Sequence, residues 1–354
     1  MKEDSVRLRL EEAEERLSMN AVRSKGTFGR EKEETESPLR TAFQRDRDRI
    51  VHCKAFRRIK HKTQVFIAPI GDHFVTRLTH TLEVSQIART IARALNLNED
   101  LVEAISLGHD MGHTPFGHVG ESELGRLNEG GFRHNVQSLR LVDRIEKDGK
   151  GLNLTYEVRQ GILHHSKPQG DFLDPESVRG MTLEAQIIRI SDVIAYLNHD
   201  LADAHRAGIL LEDQIPADIR SVLGSHHSSR INSMVSDIVK HSAHLMGSTT
   251  GTVTIGMSES VRDAMNALRS FMFENVYGPE DEGQEGITAR NIIGALYDHF
   301  SDNLDEIPDE YSLRSESPKM AVADYISGMT DRYAIRLGEQ LYPGIAKIFI
   351  KRLI

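Results

Sequence analysis

The chain has 354 residues, with one cysteine, 17 histidines and a formal charge of −9 from 44 basic and 53 acidic side chains. That length allows one large domain or two ordinary ones, with a sizeable core. One cysteine excludes an internal disulfide and a thiolate-built zinc site, so a transition metal would have to take imidazole and carboxylate ligands. The acidic balance excludes a global basic footprint for nucleic acid.

In chain order, the N-terminus MKEDSVRLRLEEAEERL has no apolar stretch of the kind a secretory signal needs. No run of about 18 apolar residues marks a membrane span. The expectation is a cytoplasmic protein with no membrane partner. Residues 1–37 read as a charged tail. Residues 3–18 could form a charged helix, and 24–38 read as a mobile linker. From Arg45 to Lys62 there are eight Lys or Arg and two Asp, a local charge of +6. Phe43, Ile50, Ala55, Phe56 and Ile59 can line one helical face there. This segment reads either as a solvated amphipathic helix or as a cationic wall for a polyphosphate or a nucleic acid strand.

Beyond it the chain reads as mostly helical, hence all-α. Leu78, Leu82, Ile87, Ile91 and Leu95 recur at helical spacing. Asn98 is a candidate N-cap, with Glu99 and Asp100 in the first turn of a helix ending near His109. A long helix is predicted over 182–207, and others over 155–165, 258–277, 287–303, 319–340 and 344–353. Weak strand signals allow short hairpins at 64–76 and 249–256. No phosphate-binding GxxxxGK[ST] loop is present.

The chemistry concentrates in 77–134, with an echo near 192. His80, the adjacent His109 and Asp110, and Asp192 come from three helical segments. Neighbours on a regular helix point about 100° apart, so a pair such as His109 and Asp110 converges best where a helix ends, and Gly108 and Gly112 fit such an ending. Two imidazoles and two carboxylates suit Mn, Fe, Co, Ni or Zn. Cys53 reads as plain packing. His113 reads as structural or supporting. His164 and His165 read as pocket lining or as capping.

The string GHDMGHTPFGHVGE (108–121), preceded by RLTHTLEVSQIA (77–88) and followed by SDVIAYLNHD (191–200), resembles the HD-domain metal-dependent phosphohydrolases. More closely, with RDRDRIVHCKAFRRIKHKTQVF (45–66) and DYISGMTDRYA (324–334), it resembles their deoxyguanosinetriphosphate triphosphohydrolase-like branch. The resemblance spans roughly 38–340. It implies an HD-domain helical bundle as a catalytic core over 38–340, with the metal site in 77–200, a helical part over 210–340 and a C-terminal helix over 341–354.

The resemblance also implies roles. His80, His109, Asp110 and Asp192 would hold the metal, with Mg also admitted there or on the nucleotide. His118 would protonate the leaving 5′-oxygen, Glu121 would orient that imidazole, and His134 would be a further active-site histidine. Gln64, Arg77, Tyr196 and Asp200 would bind substrate. The implied reaction converts a dNTP to deoxynucleoside and inorganic triphosphate. A dNTP effector, single-stranded nucleic acid and a homo-oligomer are admitted as partners. Other readings stay open: another HD phosphohydrolase acting on monophosphates, cyclic nucleotides or guanosine polyphosphates, or a nucleotide-sensing or strand-binding protein with a vestigial site.

Overall fold

The structure is a computed structural model that describes residues 5–69, 71–166, 174, 176–247 and 253–350. It is helical, with no strand among the described residues. The first half runs α1 (Val6–Glu14), α2 (Ala42–Val51), α3 (Lys54–Arg58), α4 (Arg77–Ala94), α5 (Glu99–Gly108), α6 (Gly117–Leu127), α7 (His134–Arg140), α8 (Tyr156–His164) and α9 (Leu183–Arg206). The second half runs α10 (Ala217–Leu223), α11 (His227–Ala243), α12 (Glu259–Met272), α13 (Gly278–Glu282), α14 (Gln284–Asp302), α15 (Asp309–Ser312), α16 (Pro318–Ser327), α17 (Asp331–Leu341) and α18 (Lys347–Ile350). No described helix is long and apolar enough to cross a membrane.

The helix starts follow local chemistry. The Asn98 side chain accepts the Leu101 N–H, and Thr182 accepts that of Ala185. Ser317 and Thr330 cap α16 and α17 in the same way. Each cap satisfies an amide that has no partner inside its helix. The second of these caps corrects an expectation. Residues 319–340 are not one helix but two, because the chain leaves α16 at Gly328 and Thr330 starts α17. The hairpin expected at 64–76 reduces, among the described residues, to one isolated bridge, Thr63 to Thr76, with Phe66 packed edge-on against Phe74. Of the second hairpin, residues 249–252 lie outside the described residues and 253–256 form no strand.

The chain divides into two compact units, each built from three segments. The first comprises 1–52, 81–109 and 153–271; the second comprises 53–80, 110–152 and 272–354. In the first unit α5 packs against α2, α8 and α9, and α11 packs on α9. Ile187, Ile190, Val193, Ile194 and Leu197 of α9 are fully buried, and polar Glu184, Arg189, Asn198 and Asp200 of the same helix are buried with them. Gly108 and Gly161 permit this packing. A Cβ on Gly108 would lie 2.6 Å from the Ile162 side chain, and one on Gly161 would lie 2.4 Å from Ile105. Gly108 is therefore needed for close approach and not for unusual backbone angles. In the second unit α14 is central, against α6, α16 and α17.

The segment 24–38, expected as a mobile linker, is tied down over its first half. The Phe28 N–H and the Thr27 hydroxyl both donate to Glu157, and Arg30 ion-pairs with buried Asp46 and donates to the Asn153 carbonyl. Composition could not show this, because two of the anchoring partners, Glu157 and Asn153, lie more than 100 residues away. The cationic wall is likewise mostly neutralised. Arg45 and Arg49 pair with Glu34, Arg47 with Asp48 and Glu103, and Lys54 and Arg58 with Glu310. Lys62 is buried. Arg57 and Lys60 are exposed and make no ion pair among the described residues.

Candidate metal centre and histidine cluster

The expected metal ligands divide between the two units, and each unit builds its own part. In the second unit, Arg77 and His80 lie one turn apart at the start of α4, both buried. The Arg77 guanidinium donates to Asp110 Oδ2 at 2.7 Å, and His80 Nε2 lies 3.6 Å from the same oxygen. His113 Nε2 lies 3.3 Å from Asp110 Oδ1. One ligand atom each of Asp110, His113 and His134 falls within 4.8 Å of the others.

His113 and His134 form a stack, with ring centroids 3.9 Å apart and planes at 12°. Gly112 makes this possible. A Cβ there would meet the Ser138 amide nitrogen at 2.2 Å and the His134 carbonyl at 2.4 Å, so the turn after Asp110 lies directly on α7. Glu121 on α6 accepts the His134 backbone N–H at 2.8 Å and the His134 Nδ1–H at 2.9 Å. Burial would lower the His134 pKa, but Glu121 reverses this and raises it. The same contact holds Glu121 far below the ordinary carboxylate range, against the opposing effect of burial. His113 is pushed well below its usual value by burial, by Arg77 and by the charged His134. The two rings are thus pushed in opposite directions, His113 towards the neutral form and His134 towards the charged one.

This corrects one expected role. Glu121 does not hold His118, whose Nδ1 is 4.0 Å away, beyond hydrogen-bond reach. His118 leaves its side chain 76% exposed, while Glu121 turns to His134. The i, i+3 spacing on α6 suggested a partnership that the side-chain directions do not make. Of the expected substrate residues, Gln64 and Arg77 are both buried. The Gln64 Oε1, and the Nε and one terminal nitrogen of Arg77, have no hydrogen-bond partner among the described residues.

In the first unit, His109 directly follows the last residue of α5. Its Nδ1–H donates to the Ser106 carbonyl at 2.6 Å, which fixes the orientation of the ring. Its ring meets the His165 ring edge-on at 4.8 Å. On α9, Asp192 and Tyr196 are half-buried, and Asp200 Oδ1 lies 2.8 Å from His199 Nδ1. Burial raises the Tyr196 pKa, so its hydroxyl stays protonated. His199, Lys62 and Asp331 escaped the sequence reading. A histidine beside an aspartate, a lysine in a basic run and an aspartate at a helix start are each common without a role.

The donor set fits a divalent metal on two grounds. Buried imidazoles lie beside a shared carboxylate, and a backbone carbonyl orients His109 in the manner of an outer-sphere partner. Cys53 takes no part. It is buried against Met111, it caps α3, and burial pushes its thiol up to about 12.

Comparison with known proteins agrees. The HD domain model matches residues 77–197, and the phosphohydrolase-associated domain model matches 255–340. The helical fold and the clustered His and Asp thus define a metal-binding HD-domain phosphohydrolase. A deoxyguanosinetriphosphate triphosphohydrolase-like protein of Caldanaerobacter subterraneus subsp. tengcongensis is 50% identical over 331 residues, 92% of each chain. One of Desulfatibacillum aliphaticivorans is 47% identical over 336 residues, covering 92% of this chain and 94% of its own. One of Clostridium tetani is 45% identical over 350 residues, 98% of each. The chain belongs to the deoxyguanosinetriphosphate triphosphohydrolase-like family.

Proposed function

We propose that the protein hydrolyses deoxynucleoside triphosphates to deoxynucleoside and inorganic triphosphate, as a homo-oligomer in the cytoplasm. The observation that carries this reading is the buried Arg77. Its guanidinium is half satisfied by Asp110, and its remaining nitrogens lack partners among the described residues. A buried, partly unpartnered guanidinium calls for an anion, and a phosphate oxygen matches its geometry. The imidazolium of His134 adds a second positive group to the same cluster.

His80, His109, Asp110 and Asp192 would hold the ion. When bound, a divalent metal at such a site lowers the pKa of a water and polarises phosphorus. The protein's own groups supply the rest. Arg77 and His134 counter phosphate charge, and exposed His118 is free to approach the leaving 5′-oxygen and donate its proton. Gln64, Tyr196 and Asp200 would bind the rest of the nucleotide. Single-strand binding by the basic segment is less favoured, because its free cations reduce to Arg57 and Lys60.

Each dNTP would be supplied with Mn²⁺ or Mg²⁺ and the products separated. Triphosphate with deoxynucleoside is expected. Pyrophosphate with monophosphate, or no turnover in any dNTP mixture, would sink the reading. His109→Ala should lose metal and activity together, whereas His118→Ala should keep metal and lose rate.

A further inference from the structure

Three buried charges in the second unit converge on the backbone that carries the histidines. Lys62 is 2% exposed, Asp324 is fully buried and Asp331 is 4% exposed. The Lys62 ammonium donates to the His113 carbonyl and, at 2.6 Å, to the Ser327 carbonyl. Asp331 Oδ1 accepts the Phe116 N–H at 3.1 Å, and its Oδ2 accepts both the N–H and the hydroxyl of Thr63. Asp324 accepts from Gln137 at 2.8 Å, from two nitrogens of Arg140 at 2.8 Å and from Ser315 at 2.6 Å. Gln137 also donates to the Ser327 hydroxyl at 3.1 Å. Thus 324–331, DYISGMTD, reaches the turn between His113 and His118 through Lys62 and Asp331, and reaches α7, which starts at His134, through Asp324.

The turn needs such restraint. Phe116 has φ +64 and Gly117 has φ +58, two successive left-handed residues. That conformation is costly for a phenylalanine and persists only where the surroundings over-determine it. The Phe116 ring is buried and parallel to Phe349, and its amide is the one Asp331 holds. A hydrogen-bonded buried carboxylate is a stiff anchor, because releasing it would leave several polar groups unpaired in a dry place.

We propose that Lys62, Asp324 and Asp331 are positioning residues for the hydrolytic site. The 324–331 segment, which lies outside the part of the chain matched by the HD model, sets His134 on one side and the turn bearing His113 and His118 on the other. The inference rests on the hydrolytic reading above but is separable from it.

The test pairs hydrogen exchange with kinetics on Asp331→Asn, Asp324→Asn and the milder Thr63→Val, which removes only the hydroxyl donor to Asp331. Full-length metal-loaded protein is used throughout, with metal content measured for each variant. Glu129→Gln, which removes an ion pair with exposed Lys319, serves as control. Asp331→Asn and Thr63→Val should speed exchange at 113–118 by about tenfold or more, and Asp324→Asn should do so at 134–140. kcat should fall about 10–100-fold with KM held within about threefold and metal content unchanged, as for misplaced catalytic groups. Unchanged exchange in those segments overturns the proposal, as does loosened exchange with wild-type kcat. So does a loss of KM alone, which would mark these residues as substrate contacts. If the wild-type protein leaves every dNTP intact, the substrate reading fails by itself, and the exchange comparison still decides whether these residues hold the histidine-bearing backbone.

Discussion

Glu121 spends both of its oxygens on His134, and the consequence is electrostatic. An imidazole buried beside Arg77 and another histidine would ordinarily lose its proton; the adjoining carboxylate keeps it. Glu121→Gln should remove that counter-charge and leave His134 neutral. kcat/KM is expected to fall about 10–100-fold with metal content unchanged, read by steady-state kinetics beside metal analysis. Loss of metal with activity would place Glu121 in the metal's own environment instead. The sequence singled out His109, Asp110 and His118 as candidates because the GHDMGHTPFGHVGE string sets them in a specific context. The Glu121–His134 pairing was not legible there, because the 13-residue separation reveals nothing about side-chain direction. His113 was read as supporting; its stacking on His134 and its contact with Asp110 place it inside the cluster.

Among the elements, the turn after α5 is the most demanding. Gly112 has no space for a side chain, because the obstructing atoms are backbone atoms of α7 that cannot rotate away. Gly112→Ala should cost about 3 kcal/mol or more in denaturant unfolding. Gly26→Ala, with nothing within 4 Å, should be neutral or slightly stabilising. The arm at 24–34 offers a second test. Arg30→Ala would leave Asp46 buried without its cation, and breaking such a pair costs about 3–5 kcal/mol. A change under about 1 kcal/mol would show that the arm is not an integral part of its unit. Helix positions followed from apolar spacing and caps. The break at Gly328–Thr330 did not, since apolar residues continue at helical spacing through it.

On the scale of the whole molecule, stability should respond to pH through a buried carboxylate of the first unit. Glu184 accepts the Val22 and Asn98 N–H groups in the first unit and is fully buried. Burial, with Glu14 nearby, raises its pKa to about 7. The folded chain therefore keeps a proton that the unfolded chain releases near pH 4.5. The sign follows: stability contributed by protonated Glu184 is intact below about pH 4.5 and declines as pH rises to about 7. Glu184→Gln should flatten that decline, measured as Tm against pH from 5 to 8. An unaltered slope would assign it to other groups. The net charge of −9 also takes on a different meaning at this scale. It conceals a +6 segment, and that segment in turn is largely neutralised by Glu34, Glu103 and Glu310.

Sequence alone determined the class of fold and the family, and it named the metal-ligand candidates. These depend on composition, on a 3.6-residue periodicity and on a contiguous motif, all of which are local in the chain. Tertiary structure decided which partner each buried charge takes. It turned Glu121 to His134, brought Asp331 to Phe116, and bound the arm to Glu157 and Asp46. Those choices depend on which distant residues share a dry environment, where an unpaired charge is too costly to leave alone. No local pattern records that.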